Sequence, residues 1–137
     1  MMRKHSVTKI IEFCYGHRLI NYDGPCKNLH GHNGVLEIDI ESNTLDQRGM
    51  VIDFTEVKNR VKSWIDHHLD HKMLLSSEDP LVPMLKTIGE PYYLIEGNPT
   101  AENIATHIFE AVTSDGLDIA RVKLWETNSS YASYSRK

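Results

Sequence analysis

Leu36, Ile38 and Ile40 alternate with Glu37, Asp39 and Glu41. A period of two sets the aliphatic side chains on one face of a strand and the carboxylates on the other. Such a stretch is satisfied in a sheet with one packed face and one wet face. The strand it predicts runs from about His30 to Ser42. A partner precedes it: Val7 to His17 is rich in β-branched and aromatic residues, and Ile11, Phe13, Tyr15 and His17 share one of its faces. Between the two, Asn21 to Asn28 carries the Asn, Asp, Gly and Pro of turn chemistry, which predicts a long hairpin connection.

The rest of the chain alternates in the same legible way. Asn43 to Gly49 is polar and loops out. Asp53 to Asp66 reads as a helix, capped by Asp53 with Glu56 three residues on, and Phe54, Val57, Val61, Trp64 and His68 form its apolar stripe. His71 to Gly97 holds Pro80, Pro83, Pro91 and two glycines, with a short strand at Tyr92 to Ile95. Thr100 caps a second helix that runs to about Ser114, buries Ile104, Ile108 and Val112, and ends at Gly116. Ala120 to Thr127 predicts a third strand and Tyr131 to Ser135 a fourth. The order β-β-α-α-β-β implies an α+β fold, a four-stranded antiparallel sheet with two helices on one face. Its two edges would stay open unless neighbouring subunits closed the sheet into a barrel, so a homo-oligomer is expected.

Nothing divides the chain: repeats, low-complexity tracts and linkers are missing, and residues 1–137 read as one domain with a real core. The net charge of −4 gives no basic stripe for nucleic acid. No apolar run approaches the length that spans a membrane. The opening Met1-Met2-Arg3-Lys4-His5 is basic, but no apolar signal core follows it. Two cysteines make no disulfide framework. A cytoplasmic protein is expected.

The chemistry concentrates on the hairpin. His30 and His32, at i and i+2 on a strand, point to the same side, and His17 at the end of the preceding strand completes a three-imidazole face. Three neutral nitrogens suit zinc and leave a fourth position for water or substrate. Cys26 lies four residues before His30, where a nearby cation would favour its thiolate and make it a candidate base. Cys26 as a fourth ligand, closing a structural Cys-His₃ site, fits the spacing equally.

Asp70-His71 follows the first helix. An Asp that orients a His can form an acid/base relay with a thiol. On residues alone, the simpler reading is a histidine offsetting the helix dipole, with the Asp in solvent. Glu126 shares a strand face with Val122 and Leu124. A carboxylate there can accept two hydrogen bonds from an amidine-like edge such as that of a pterin, while an ordinary strand-end Glu is the safer reading in isolation. Cys14, opposite in face to His17, reads as a small packed residue, His67 as solvent-facing, and His68 and His107 as satisfied packed groups.

Phe13-x-x-x-His17, Cys26-x-x-x-His30-Gly31-His32, Leu69-Asp70-His71-Lys72-Met73-Leu74, Pro99-Thr100-Ala101-Glu102-Asn103 and Trp125-Glu126-Thr127 occur in this order. Together they resemble the 6-pyruvoyltetrahydropterin synthase / 6-carboxytetrahydropterin synthase family across nearly the whole chain. The resemblance implies the tunnelling fold, with subunits closing into barrels as a dimer of trimers and sites at subunit interfaces. It implies zinc at His17, His30 and His32, catalytic roles for Cys26, Asp70 and His71, and a pterin-anchoring role for Glu126. One branch of the family carries Glu in place of the catalytic Cys, and Cys26 argues against that branch. Nothing transfers onto the longer Ser76–Gly97 segment.

The substrate implied is 7,8-dihydroneopterin triphosphate, and two products follow. Carbon–carbon cleavage with loss of acetaldehyde gives 6-carboxytetrahydropterin on the queuosine route, the reading favoured for a short single-domain chain. Elimination of triphosphate alone gives 6-pyruvoyltetrahydropterin. A non-catalytic zinc- or pterin-binding subunit ranks below both, because binding alone has no use for a base and a relay.

Overall fold

The computed structural model describes residues 4–136; Met1–Arg3 of the basic opening and Lys137 lie outside them. Six strands form one sheet in the order β4-β3-β1-β2-β5-β6. Strands β1 (His5–His17) and β2 (His30–Ser42) build the central hairpin, paired antiparallel from His5↔Ser42 to His17↔His30. Strand β5 (Arg121–Thr127) adds antiparallel to β2, and β6 (Ser130–Ser135) adds antiparallel to β5. These four are the strands that alternation predicts.

Two more strands enlarge the expected four-stranded antiparallel sheet into a mixed one. Strand β3 (Lys72–Ser76) lies parallel to β1, and β4 (Tyr92–Ile95) lies parallel to β3. Leu74, Leu75 and Ser76 are all buried, so β3 is a short unbroken run with no alternation to betray it. The segment from Ser76 to Gly97 therefore has structure of its own. It holds helix α3 (Val82–Ile88), started by Pro83 and stopped by Gly89 at φ 77°, and then β4.

The first long helix has a capped start. The Asp53 carboxylate accepts from the Thr55 N–H at 2.8 Å, and α1 (Phe54–Val57) passes through a π-helical stretch (Lys58–Lys62) into α2 (Ser63–His68). The buried stripe is Val57, Val61, Ile65 and Leu69, whereas Phe54 is half exposed and Trp64 only partly covered. Strict four-residue spacing drifts off the face of a regular α-helix. The wider π turn keeps it aligned with the sheet, which shifts the stripe from the predicted set. Helix α4 (Ala101–Ser114) matches its prediction: Thr100 Oγ1 accepts from the Asn103 N–H at 3.1 Å, Ile104, Ile108 and Val112 are buried, and Gly116 takes φ 98° past its end.

One apolar cluster joins these helices to one face of the sheet, through Ile11, Phe13, Leu36, Ile38, Val122 and Leu124. Each aliphatic side chain fully buried there contributes roughly 1.5–3 kcal/mol. That face carries Tyr15 and His17 at its end, so the packing that holds the hairpin also fixes the imidazoles. No helix among the described residues is long and apolar enough to cross a membrane.

Candidate metal centre and its neighbours

Direct pairing aligns Tyr15 with His32 and His17 with His30, so all four side chains emerge on the core face at one end of the hairpin. One donor atom from each of His17, His30 and His32 lies within 4.8 Å of the other two. Close approach favours glycine at the central Gly31, since a Cβ there would stand 3.0 Å from the Tyr15 carbonyl oxygen. His17 Nδ1–H donates to the Pro99 carbonyl at 2.7 Å, and His30 Nδ1–H donates to the Asn28 carbonyl at 2.8 Å. Both bonds fix the tautomer that offers Nε2 to an ion, the usual backing of a metal-ligating histidine. Nε2 of His32 lies 3.1 Å from Nε2 of His17. Burial is the main influence on the His17 imidazole, and it pushes the pKa down and favours the neutral, ligating form. The donors fit zinc. Cys26 does not belong to this cluster, which speaks against a closed Cys-His₃ site.

The entry to α4 braces this end of the hairpin. Besides Pro99, Asn98 clamps the β1–β2 connection: its amide accepts from the Ile20 N–H and donates to the Ile20 carbonyl, both at 2.8 Å. A second brace is the paired guanidinium and carboxylate of Arg18 and Asp79, at 2.9 and 2.5 Å. Asp79 is buried, and the Arg18 hydrogen bonds hold its carboxyl below the ordinary range.

Glu126 reaches the centre from β5. Its Oε2 is 3.6 Å from His17 Nε2 and 3.8 Å from His32 Nε2. The Tyr15 hydroxyl donates to the same oxygen at 3.5 Å. Burial first, and the Glu126 charge second, drive the Tyr15 phenol strongly upward, so it stays a donor. Glu126 thus lies beside His17, His32 and Tyr15 at the end of the hairpin.

Asp70 and His71 occupy the entry to β3, beside β1, in a donor cluster separate from the imidazoles, and His71 lines the same cavity as His30 and His32. Asp70 Oδ1 accepts the Cys14 N–H at 3.0 Å, and Oδ2 accepts from His71 Nδ1–H at 2.8 Å. Burial pushes the Asp70 carboxyl up, but the hydrogen bonds from Cys14 and His71 outweigh it and the net shift is downward. His71 has φ 59°, a left-handed backbone that strains a residue bearing a Cβ, and its side chain is 76% exposed. The Asp70 carboxylate is thus not left in solvent but is bonded to both His71 and the Cys14 N–H. Cys14 alternates with Tyr15, so it faces away from the imidazoles, and it is the thiol that stands with Asp70 and His71. It is only half buried and lines a cavity of about 690 Å³ with His30, His32, Asn33, His71 and Met73, not a packed interior.

Cys26 sits in a 3-10 turn (Pro25–Lys27) within the β1–β2 connection, half buried, its carbonyl accepting the Leu19 N–H at 2.9 Å. Within one chain it joins neither donor cluster. Sequence reasoning missed Tyr15, Asn28, Asn98 and Pro99. Two of these act through backbone carbonyls, which carry no residue signature. His68 and His107 are satisfied as expected: His68 Nδ1–H donates to the Trp64 carbonyl at 2.9 Å, and His107 Nε2 pairs with the Tyr93 hydroxyl at 2.8 Å.

Comparison with known proteins places this geometry in context. The family model for 6-pyruvoyl tetrahydropterin synthase matches residues 6–137. A 6-carboxy-5,6,7,8-tetrahydropterin synthase of Rickettsia conorii is 41% identical over 127 residues, covering 88% of this chain and 92% of the relative. The protein of the same name from Aquifex aeolicus is 37% identical over 125 residues, covering 82% and 76%. Among solved structures, an uncharacterized protein from Wolinella succinogenes superposes with a TM-score of 0.84 at 26% identity, covering 98% of this chain and 99% of its own. The 6-pyruvoyl tetrahydropterin synthase of Caenorhabditis elegans gives 0.75 at 23% identity, covering 99% and 98%, a likeness of fold.

Proposed function

Because the chain belongs to the 6-pyruvoyl tetrahydropterin synthase family, we propose that it is a cytoplasmic zinc-dependent lyase acting as one domain over residues 1–137. It converts 7,8-dihydroneopterin triphosphate and one water to 6-carboxytetrahydropterin, acetaldehyde and triphosphate, as in queuosine synthesis. The observation that carries the reading is the meeting of His17, His30 and His32 with Glu126 at one end of the hairpin. The names of the relatives from Rickettsia conorii and Aquifex aeolicus support the carboxy product over the pyruvoyl one.

His17, His30 and His32 would hold the zinc, which when bound would supply Lewis acidity toward side-chain oxygens of the substrate. Glu126 would accept the N–H edge of the pterin and set its orientation. The Cys26 thiolate would take a carbon-bound proton from the substrate. Asp70 would hold His71 by Nδ1 so that the far nitrogen returns a proton to the other side of the substrate.

Asp70 and His71 gather with Cys14 in a donor cluster separate from the three imidazoles, and Cys26 joins neither cluster, which supports a site shared between copies of the chain. The short edge strands β4 and β6 are open to such pairing. The expected assembly is a dimer of trimers with the sites at subunit interfaces. Incubation of the purified zinc protein with dihydroneopterin triphosphate tests the reaction. Acetaldehyde appearing in step with triphosphate supports it. Triphosphate with 6-pyruvoyltetrahydropterin and no acetaldehyde reassigns the product, and intact substrate in the presence of bound zinc leaves a binding subunit.

A further inference from the structure

We propose that Cys14, Asp70 and His71 form a second divalent-cation site, distinct from the three-imidazole centre, whose filling shuts down the enzyme. The donors are a sulfur, a carboxylate oxygen and an imidazole nitrogen within 4.8 Å of one another. A thiolate, a carboxylate and a neutral imidazole form a set that zinc accepts, and two negative charges match its own. The His71 side chain is 76% exposed, so an incoming ion can reach its ring.

Three independent features favour a built site over chance. Asp70 is locked before any ion arrives, because its Oδ1 takes the Cys14 N–H at 3.0 Å while Oδ2 faces His71 at 2.8 Å. The backbone at His71 is held at φ 59°, and the His71 N–H bond to the Cys14 carbonyl at 2.7 Å fixes that strained turn beside the thiol. The cluster opens onto the cavity of about 690 Å³, which gives an ion an entry path and room for a water as fourth ligand. Cys14 Sγ donates to Asn33 Oδ1 at 3.3 Å, a weak bond that a metal–thiolate bond would replace.

The site would be inhibitory. A cation here takes the His71 nitrogen and the Asp70 oxygen out of proton exchange, so surplus zinc would arrest turnover without touching the first ion. This effect on rate rests on the relay role given to Asp70 and His71 above, whereas the binding itself does not.

Cobalt(II) titration of the full-length protein, already carrying one zinc per chain, tests the site. The expected result is a second equivalent bound per chain, with the near-ultraviolet sulfur-to-cobalt absorption of a thiolate ligand. Turnover should fall severalfold as that equivalent loads. Cys14→Ser should weaken the second binding at least tenfold and erase the sulfur band, while the first zinc stays and reports an intact fold. Cys26→Ala should keep both the second equivalent and its band. A single equivalent in the unaltered chain overturns the proposal, as does a sulfur band that survives Cys14→Ser or disappears with Cys26→Ala. Normal binding of the second ion without loss of rate would instead count against the relay.

Discussion

Glu126 and His17 meet across the sheet with 3.6 Å between the carboxylate oxygen and Nε2, so the expected pterin anchor and the expected metal ligand form one locus. The Tyr15 hydroxyl bonded to the same oxygen fixes the carboxylate from below. Glu126→Gln keeps the shape and removes the charge. Charge-assisted hydrogen bonds contribute about 1.5–3 kcal/mol, so substrate affinity should fall roughly 10- to 100-fold with zinc content unchanged. Calorimetry with a pterin ligand measures this, and unaltered affinity would remove Glu126 from the anchor role.

The division of imidazoles and relay into two separate donor clusters predicts complementation. His30→Ala should lose zinc and activity, and His71→Ala should keep zinc and lose activity. If each site draws the two groups from different copies, refolding the variants together at equal ratio regenerates about a quarter of the sites. Assay of the mixture against each variant alone decides the matter. A mixture as inactive as its parts means that one chain supplies both groups.

Cys26→Ala should cut turnover by about 10²–10⁴-fold, the usual contribution of a positioned base, with zinc unchanged. Metal analysis beside the activity assay distinguishes a lost base from a lost ligand. Zinc leaving with the sulfur would restore the closed Cys-His₃ site.

Asp79 links acid stability to the site. Its folded carboxyl lies below the ordinary value of 3.8, because Arg18 favours the charged form. The unfolded chain therefore binds the proton more readily. The stabilisation is complete above about pH 5, where both forms are ionised, and fades as acid titrates the folded carboxyl. Asp79→Asn should cost roughly 1.5–3 kcal/mol at pH 7 and flatten the acid limb of the stability profile. Urea unfolding at a series of pH values measures both. An acid limb that keeps its steepness in the variant shows that other carboxylates control it.

The two hairpins and both long helices were readable because their signals are local: period-two alternation in β2, the Thr100 cap, and the glycine after α4. The three histidines were readable for the same reason, since strand alternation and one register bring them together. Strand β4 falls on the short strand read at Tyr92 to Ile95, but β3 was harder. Leu74 and Leu75 are buried through long-range parallel pairing, which leaves a short apolar run that a helix could share. The Val57–Leu69 stripe depends on a π turn that no residue announces. The association of Cys14 with Asp70 and His71 arises from parallel docking of β3 on β1, which makes neighbours of residues 56 positions apart. Pro99 and Asn28 contribute only main-chain oxygen, invisible to any reading of side chains.

The last rung of the β1–β2 ladder joins His17 to His30. A slip of one residue anywhere along these thirteen-residue strands would bring a glycine, Gly16 or Gly31, to the place of an imidazole. The ion can then be loaded only by molecules whose hairpin has zipped correctly over its full length. If these imidazoles hold an ion, its occupancy would track correct pairing of the hairpin.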